Sequence, residues 1–567
     1  MKKKREQERG ARLRVLVVDD EDFVRFTLTA VLRGAGYEVE EARSVEEALG
    51  KVRRTGGPFH VLVTDIMMGE IDGFMFRDAV RRTHPTLPIV FLTSLVDEDG
   101  ALSKRILGDV HSYFLSKGVA RDALLDVVRH ATHVSRCERA LLRMTENFKH
   151  GMELASFVQR SVLPKWAHVG ARYRFGYFWR PFSKVSGDLI AWFPFSPDAC
   201  LAVFGDISGH GTYAALAMMG VQVFLKQLLG GCTAQDVRPH RILQELNGFF
   251  RLNLPDSTYM ACLVAFWDFS KNEVRFHNAG YQELYCFRAA TGARVDLNPE
   301  RRGGVPVGLL PDTRYEAADD VSAAFPDDAV FMTCSDGILD LASDIAGEQF
   351  VEKAFVERTM GALAAESARD RDVSELAAEL FQSLADCGWD VPQDDVFTFA
   401  LAKARRADCF VRGVQIDAAD VDCAAQEAAR WVRERFGSAA LAFRVELLLG
   451  EHLTNIVRHG LDETVRRFEQ IVVLIAPAAD PGLLAVKTLD RGRPWNPARQ
   501  FTEMAKGADA RLEEQNEKFA LGGRGTAIKR KLVSSVRHCR VAGMNRNIFY
   551  VPMVSGALWT STEVQKA

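Results

Sequence analysis

The amino-acid sequence predicts a multidomain chain of mixed α/β and α+β class, on three observations. First, 567 residues at roughly 150 per domain give about three to four domains. Second, apolar runs alternate with helix-like segments near the N-terminus, whereas strands dominate the middle. Third, a new pattern of two helices followed by two strands begins near Asp408. The expected order is a doubly wound parallel five-stranded sheet, a coiled-coil helix, a layered α/β-β/α sandwich and a final α/β sandwich.

Hydrophobic residues at 47% and charged residues at 26% are ordinary for globular domains that bury real cores. With 72 Lys+Arg against 75 Asp+Glu there is no excess basic charge, so neither nucleic acid nor an anionic membrane is an expected partner. Ten cysteines without a CxxC pair read as reduced thiols of a cytoplasmic protein. The basic start MKKKREQERG is followed by no apolar segment, so it does not read as a signal peptide. Ile207 to Leu225 lacks formal charge but is too polar for a membrane span.

Residues 1–12 read as a disordered charged tail. From Leu13 to Lys117, the runs LRVLVVDD, FHVLVTD, PIVFLTS and HSYFLSK alternate with helices, the pattern of βαβ units. From Arg121 to Leu163 a heptad reading that starts at Val127 gives nine apolar residues among eleven a and d sites. That argues a coiled-coil helix ended by Pro164, the alternative being one long helix packed on its own domain. Between Tyr173 and Lys403, CLAVFGDIS, MACLVAFWDF, EVRFHNAG, ELYCFR, AVFMTCSDG and DVFTFALAK read as layered antiparallel strands. After Asp408 come two helices, then IVVLIAP and LLAVKTLD separated by an Ala-Asp-Pro-Gly turn.

In the first segment Asp19 and Asp20 close the first strand, Asp65 the third, Thr93 the fourth and Lys117 the fifth. Converging carboxylates repel one another unless a hard divalent cation sits among them. Mg²⁺ there makes Asp65 a plausible nucleophile toward a phosphoryl donor, with Lys117 and Thr93 placed to contact the acyl phosphate. VVDDE, TDIMM, FLTS and FLSKG in this order resemble the receiver domain of bacterial response regulators. The resemblance implies that Asp65 is the phospho-acceptor, that Asp19 and Asp20 hold the metal, and that Thr93 and Tyr113 form a switch pair. Gly69 and Gly118 stand where the family usually has prolines, and the glycine after Lys117 puts the family's customary cis bond in doubt.

The middle segment carries Asp188 in VSGDLIAW, Asp206 in VFGDISGHG, Asp336 in TCSDGI, and Asp394 with Asp395 in PQDDVFTF. Oxygen ligands without His or Cys suit Mg²⁺ or Mn²⁺. Two such ions can share and activate a water aimed at phosphorus. Gly187, Gly209 and Gly211 allow close backbone approach, and the Ile207 carbonyl is a further ligand candidate. SGD, GDISGHG, HNAGY, SDGI and the final DD resemble the PPM-type metal-dependent Ser/Thr phosphatases of sporulation and stress regulation. By that resemblance Asp188 and Asp206 bind one metal, with Asp206 bridging, and Asp336 with Asp394 or Asp395 completes the other, Asp394 being favoured. Ala191 stands where the family has another Asp, and Phe397 displaces a usual Thr. The first change is expected to weaken an accessory metal or an outer hydrogen bond.

In the last segment Glu451, Asn455 and His459 recur every four residues along one helix face. Asn455 can offer oxygen to Mg²⁺, and Glu451 is placed to accept a proton from a hydroxyl nucleophile. Asp490 ends a strand, Gly492 follows, and Leu521-Gly522-Gly523-Arg524-Gly525-Thr526 opens another helix, where amides face polyphosphates. Together these resemble the GHKL ATP-binding fold of anti-sigma-factor serine kinases. The resemblance implies Asn455 on Mg²⁺, Asp490 on the adenine amino group, Gly492, Gly522, Gly523 and Gly525 around ATP, Glu451 as general base, and residues 496–520 as a lid.

The expected domains are 12–120, 121–165 (helical), 166–404 and 408–557. The resemblances jointly imply a response regulator that dephosphorylates and phosphorylates a STAS-type anti-sigma-factor antagonist on Ser/Thr. They imply a cognate sensor histidine kinase and a homodimer through the coiled coil. The alternative is a non-enzymatic partner switch in which the last domain sequesters an antagonist or sigma factor. A sensor histidine kinase is disfavoured, because no dimerising helix with a phosphorylatable His precedes the last domain, and His130 in the coiled coil lacks an adjacent Glu or Asp.

Overall fold

The computed structural model describes residues 13–53, 59–68, 72–93, 109, 111–170, 172–209, 211–310, 312–343, 349–367, 371–404, 409–461, 466–494, 529 and 531–553. The expected tail at residues 1–12 lies outside them. The chain divides into two compact units, Met1–Gly151 and Met152–Ala567.

In the first unit, β1 (Arg14–Val18), β2 (Glu38–Ala42), β3 (Val61–Asp65), β4 (Ile89–Thr93) and β5 (Ser112–Ser116) form a sheet of order β2-β1-β3-β4-β5. All its pairings are parallel. Helices α1 (Asp22–Gly34), α2 (Val45–Arg53) and α3 (Gly73–Arg81) connect the strands. One apolar cluster sits on each face, Leu16, Leu62 and Phe91 on one and Val15, Val63 and Val90 on the other. A buried parallel sheet therefore reads as continuous apolar runs. The edge strand β2 is the exception, because only Val39 and Ala42 of EVEEA are buried.

Helix α4 (Arg121–Val162, 42 residues) is continuous from the first unit into the second. Leu141, Met144 and Phe148 of its apolar seam are exposed.

The second unit begins with a two-sheet sandwich. Its strands are β6 (Ala167–Val169), β7 (Tyr173–Arg180), β8 (Asp188–Ser196), β9 (Ala199–Ile207), β10 (Met260–Asp268), β11 (Glu273–Ala279), β12 (Tyr285–Arg288), β13 (Arg294–Val295), β14 (Val321–Ala324), β15 (Ala329–Cys334), the short hairpin β16 (Ala342–Ser343) and β17 (Gln349–Phe350), and β18 (Val396–Lys403). Sheets of order β14-β11-β10-β9-β8 and β13-β12-β15-β18-β7-β6 enclose Phe204, Trp267, Phe331 and Phe399. Helices α5 (Thr212–Leu229) and α6 (Pro239–Asn253) cover the first sheet through Met218, Leu225 and Leu243. Helices α7 (Lys353–Ser367) and α8 (Val373–Asp386) cover the second. By length and composition α5 alone among the described helices could cross a membrane, but its apolar face packs inside this sandwich.

The remaining sheet has the order β19-β20-β21-β23-β22, from β19 (Phe410–Gln415), β20 (Gln470–Pro477), β21 (Leu483–Asp490), β22 (Ser535–Val541) and β23 (Met544–Pro552). The Ala-Asp-Pro-Gly turn joins β20 to β21, with Leu483 N donating to Asp480 O at 3.0 Å. Helices α9 (Ala418–Phe436) and α10 (Ala439–Asn455) pack on one face through Val432, Val445, Leu449, Ile471 and Val486. The opposite face, through Val472, Leu489, Val541 and Met544, joins the core of the two-sheet sandwich. Polar groups line this seam. Glu375 of α8, fully buried, accepts from Lys487 (2.9 Å) and Arg546 (3.1 Å). Trp166 Nε1 donates to Gln470 O at 3.2 Å. Arg491 donates to Tyr177 O, with its guanidinium 5.0 Å from the Trp166 ring centroid.

Candidate functional site

At the C-terminal edge of the parallel sheet, Asp19, Asp20 and Asp65 bring carboxylate oxygens within 4.8 Å of one another. Their places at the ends of β1 and β3 follow from strand length, since open α/β sheets build sites there. Lys117 Nζ, just past β5, lies 2.6 Å from Asp65 Oδ2 and 3.1 Å from Asp19 Oδ2. Burial alone would lower the Lys117 pKa, but these bonds outweigh it and hold it above the ordinary lysine value. Burial in turn raises Asp19, against its bonds from Glu21 N and Lys117. Asp65 Oδ1 accepts from Ile66 N at 2.6 Å. Gly73 is required here, because a Cβ on it would stand 2.4 Å from Asp65 O. Tyr113 packs edge-on against His130. Gly118 has φ +105°, a conformation glycine adopts freely. The side chain of Thr93, and Gly69, fall outside the described residues.

The second site lies at one edge of the antiparallel sandwich. Asp188 and Asp206 are direct cross-strand partners on β8 and β9, so their side chains share a face. Like charges placed so are destabilising. Asp336 begins a single 3₁₀ turn after β15, and Asp394 and Asp395 lead into β18. Gly337 lets these two segments meet, because a Cβ there would lie 2.0 Å from Asp395 O. Burial, then repulsion from Asp336 and Asp394, pushes Asp206 up to about 8. Burial, then Asp206, raises Asp188 well above the carboxylate range. The buried Asp188 Oδ2 has no hydrogen-bond partner among the described residues.

These are the marks of a cation site, and oxygen donors alone fit Mg²⁺ or Mn²⁺. Gly187 packs so closely that a Cβ would meet Ile207 O at 3.1 Å, and Gly209 and Gly211 have φ of +88° and +80°. Asp395 spends both oxygens on the Phe182 and Gly187 amides, at 2.7 and 2.9 Å. Asp394 is half-buried and accepts from the Asp395 amide through Oδ1.

The structure adds Asp340, one turn after Asp336, with Asp340 N donating to Asp336 O at 2.9 Å. Burial and the charge of Asp394 raise its pKa. Sequence reasoning passed over it, although SDGILD carries the signal. Ala191 lies in the apolar cluster beneath α5, on the opposite face of β8 from Asp188 by strand alternation. The weakening expected of Ala191 therefore falls on an apolar layer and not beside the carboxylates. Gln159 of α4, fully buried, pairs with the Ser186 backbone at 2.6 and 3.1 Å, next to Gly187.

The third site lies between α10 and its sheet. Glu451 and Asn455 sit half-buried one turn apart. Asp490 Oδ1 accepts from Gly492 N (2.9 Å) and Asn545 Nδ2 (2.8 Å). The buried Oδ2 has no hydrogen-bond partner among the described residues, which fits an acceptor for an adenine amino group. Burial pushes Asp490 up to about 6. A Cβ on Gly492 would lie 2.5 Å from Gly460 O. Asn545, the cross-strand partner of Asp490, and the buried Lys529 were not singled out by the sequence. Burial lowers Lys529 to about 8, against the attraction of Glu451. Gly522, Gly523, Gly525 and the expected lid at 496–520 fall outside the described residues.

Three family models match: "Response regulator receiver domain" over residues 15–129, "Stage II sporulation protein E (SpoIIE)" over 196–403, and "Histidine kinase-like ATPase domain" over 414–548. The chain is 33% identical over 115 residues to sensor kinase CckA of Brucella abortus, a match covering 20% of this chain and 12% of that protein. Across eight curated relatives that it matches, the chain spans between 11% and 52% of their length. Similar solved structures include the RsbU and RsbW domains of Rv1364c from Mycobacterium tuberculosis (17% identity, 71% of this chain and 99% of that one, TM-score 0.36). Another is the SiaA-PP2C domain of Pseudomonas aeruginosa (20% identity, 46% and 99%, TM-score 0.37).

Proposed function

We propose that this chain, which carries a receiver domain, a SpoIIE-type phosphatase domain and a histidine kinase-like ATPase domain, is a response regulator with two opposing outputs. It removes phosphate from, and returns phosphate to, a Ser or Thr of a STAS-type anti-sigma-factor antagonist. The proposed domains run 12–120, 121–165, 166–404 and 408–557. The observation that carries the reading is the group of carboxylates from both sheets that converge on one edge, raised in pKa by burial and then by one another.

In the phosphatase, Asp188, Asp206 and the Ile207 carbonyl would hold one divalent ion, and Asp336 and Asp394 the other, with Asp206 between them. Asp394 is favoured over Asp395 because both oxygens of Asp395 are spent on backbone amides. Bound ions of this kind lower the pKa of a shared water and polarise the phosphoryl oxygen. Asp395 fixes the Gly187 loop and so orients Asp188. In the ATPase domain Asn455 would offer oxygen to Mg²⁺, Asp490 Oδ2 would accept a hydrogen bond from the adenine amino group, and Glu451 would accept the proton of the incoming hydroxyl.

The input is Asp65, phosphorylated by a cognate sensor histidine kinase with Mg²⁺ held by Asp19 and Asp20. The exposed apolar seam of α4 fits a homodimer. At its far end Gln159 holds the backbone beside Asp188. Phosphorylation at Asp65 would shift α4 and stabilise the metal-competent phosphatase. A phosphate on the antagonist adds about −1.5 to −2 charges, enough to change its docking.

The test mixes the purified chain with candidate STAS antagonists, ATP and Mn²⁺, with and without acetyl phosphate, and follows phosphorylation by mass spectrometry. Transfer in both directions is expected, with removal faster after acetyl phosphate and unresponsive to it in Asp65→Ala. Binding without transfer in either direction would favour a non-enzymatic partner switch.

A further inference from the structure

The seam between the phosphatase and the ATPase sheet does not close completely. A cleft of ≈ 660 Å³ remains between the outer face of β20-β21-β23-β22 and the ends of β7, β18 and α8. This is the size range of small-molecule sites, which favour domain junctions. Its lining is strongly one-sided in charge. Arg174, Arg371, Lys403, Lys487, Arg537 and Arg546 face it, against Asp372 and Asp480 as the carboxylates among the described lining residues.

Acids buried more deeply than their cations pair with Lys487, Arg546, Arg174 and Arg371, while the more exposed Asp327 and Glu366 also meet Lys403 and Arg371. The Glu375, Glu379 and Asp372 side chains are 0%, 3% and 6% exposed. Their partners Lys487, Arg174 and Arg371 keep 12%, 12% and 32%. A solute entering the cleft therefore meets guanidinium and ammonium groups in front of sequestered carboxylates. Arg174 Nε is buried without a hydrogen-bond partner among the described residues, an unmet donor of the kind an acceptor oxygen satisfies.

Part of the remaining wall is apolar. Leu474, Leu483 and Ile548 line it, and Tyr550 presents a ring with the Arg537 guanidinium 5.6 Å from its centroid. Strand alternation separates this site from the nucleotide pocket. On β21, Lys487 points to the cleft, whereas Thr488 and Asp490 point toward α10.

We propose that this cleft binds a small organic phosphate, its anionic group on the arginine wall and its organic body on the Leu474–Ile548–Tyr550 surface. Planar guanidinium forks match phosphate oxygens in pairs, and four of the six cations are arginines. A ligand there would touch both catalytic domains at once.

The test uses the full chain in EDTA, so that no metal site takes phosphate, and measures phenyl phosphate binding by calorimetry. Inorganic phosphate and phenol serve as half-ligands. One saturable site per chain is expected, tighter for phenyl phosphate than for either half. Arg537→Glu, at an exposed position, should weaken it by at least about tenfold with an unchanged melting temperature. Asp490→Asn should leave it unchanged. Should Arg537→Glu alter melting, Lys403→Glu replaces it with the same expectation. Absence of saturable binding, indifference to the charge reversals, or loss in Asp490→Asn would each overturn the proposal.

Discussion

The acidic pocket at Asp65 and the carboxylate group at Asp206 gather similar side chains at strand ends, yet they balance charge differently. The receiver pocket contains its own cation, since Lys117 reaches Asp65 and Asp19. In the phosphatase, the charges acting most strongly on Asp188 and Asp206 are other carboxylates. The first arrangement is electrostatically tolerable without metal, while the second is poised for ions it must import. A receiver has to persist in two states and so benefits from a resident lysine. A hydrolase that aims a metal-held water loses nothing by depending on metal at all times.

The sharpest way to break this contrast is at Asp206, the proposed bridging residue. Asp206→Ala is expected to reduce dephosphorylation of a phosphorylated antagonist below detection while kinase activity persists, measured by mass spectrometry. Wild-type rates in that variant would remove the two-metal assignment. Glu451 tests a third balance, an acid whose charge acts on the buried Lys529. Glu451→Ala should keep ATP binding and lose phosphoryl transfer by about 10²–10⁴-fold, read by single-turnover transfer.

Metal-dependent melting sharpens the contrast directly. Mn²⁺ at about a hundred times its Kd should stabilise the phosphatase-containing unit by about 2.7 kcal/mol, an effect lost in Asp206→Ala. The receiver should respond less, unless Lys117→Ala removes its resident cation and makes its melting metal-dependent. The smallest expected effect concerns Asp490, whose folded pKa of about 6 exceeds the carboxylate value of 3.8. The folded state thus holds a proton that the unfolded chain has released between these values. This group's stability contribution is complete below about pH 4 and is lost as pH rises through 6. Nucleotide affinity should run the opposite way, falling as pH drops through about 6 because the acceptor becomes protonated. Asp490→Asn should flatten that profile in a binding titration from pH 5 to 8.

Much of this was legible in the sequence because the sites follow apolar strands, whose ends are visible as LVVDD, LVTD, VFGDIS and VKTLD. The strand β2 was harder to see, since EVEEA buries only two side chains and carries no apolar run. Asp340 and Asn545 escaped notice because their neighbours come from turn geometry and strand register, not from a motif. Lys529 escaped because its meaning depends on Glu451, far away in sequence. The greatest gap was the seam. A new start near Asp408 reads as a separate domain, and nothing local announces that Arg546 will meet Glu375 or Arg491 will meet Tyr177. Periodicity reveals that a face is apolar, never which surface will cover it.

Strand β21 serves two masters, and this constrains how the sequence can drift over evolutionary time. Its even-numbered residues, ending in Thr488 and Asp490, serve the nucleotide pocket, while Lys487 and Leu489 grip the phosphatase. Removing one residue would exchange the two faces in a single step. It would place Leu489 or Lys487 against α10 and turn an aspartate toward an arginine-rich seam. A substitution within Leu483–Asp490 disturbs one face of the strand, whereas a length change there disturbs both. The exposed Asp480–Gly482 turn just before it has no such paired faces to keep in register.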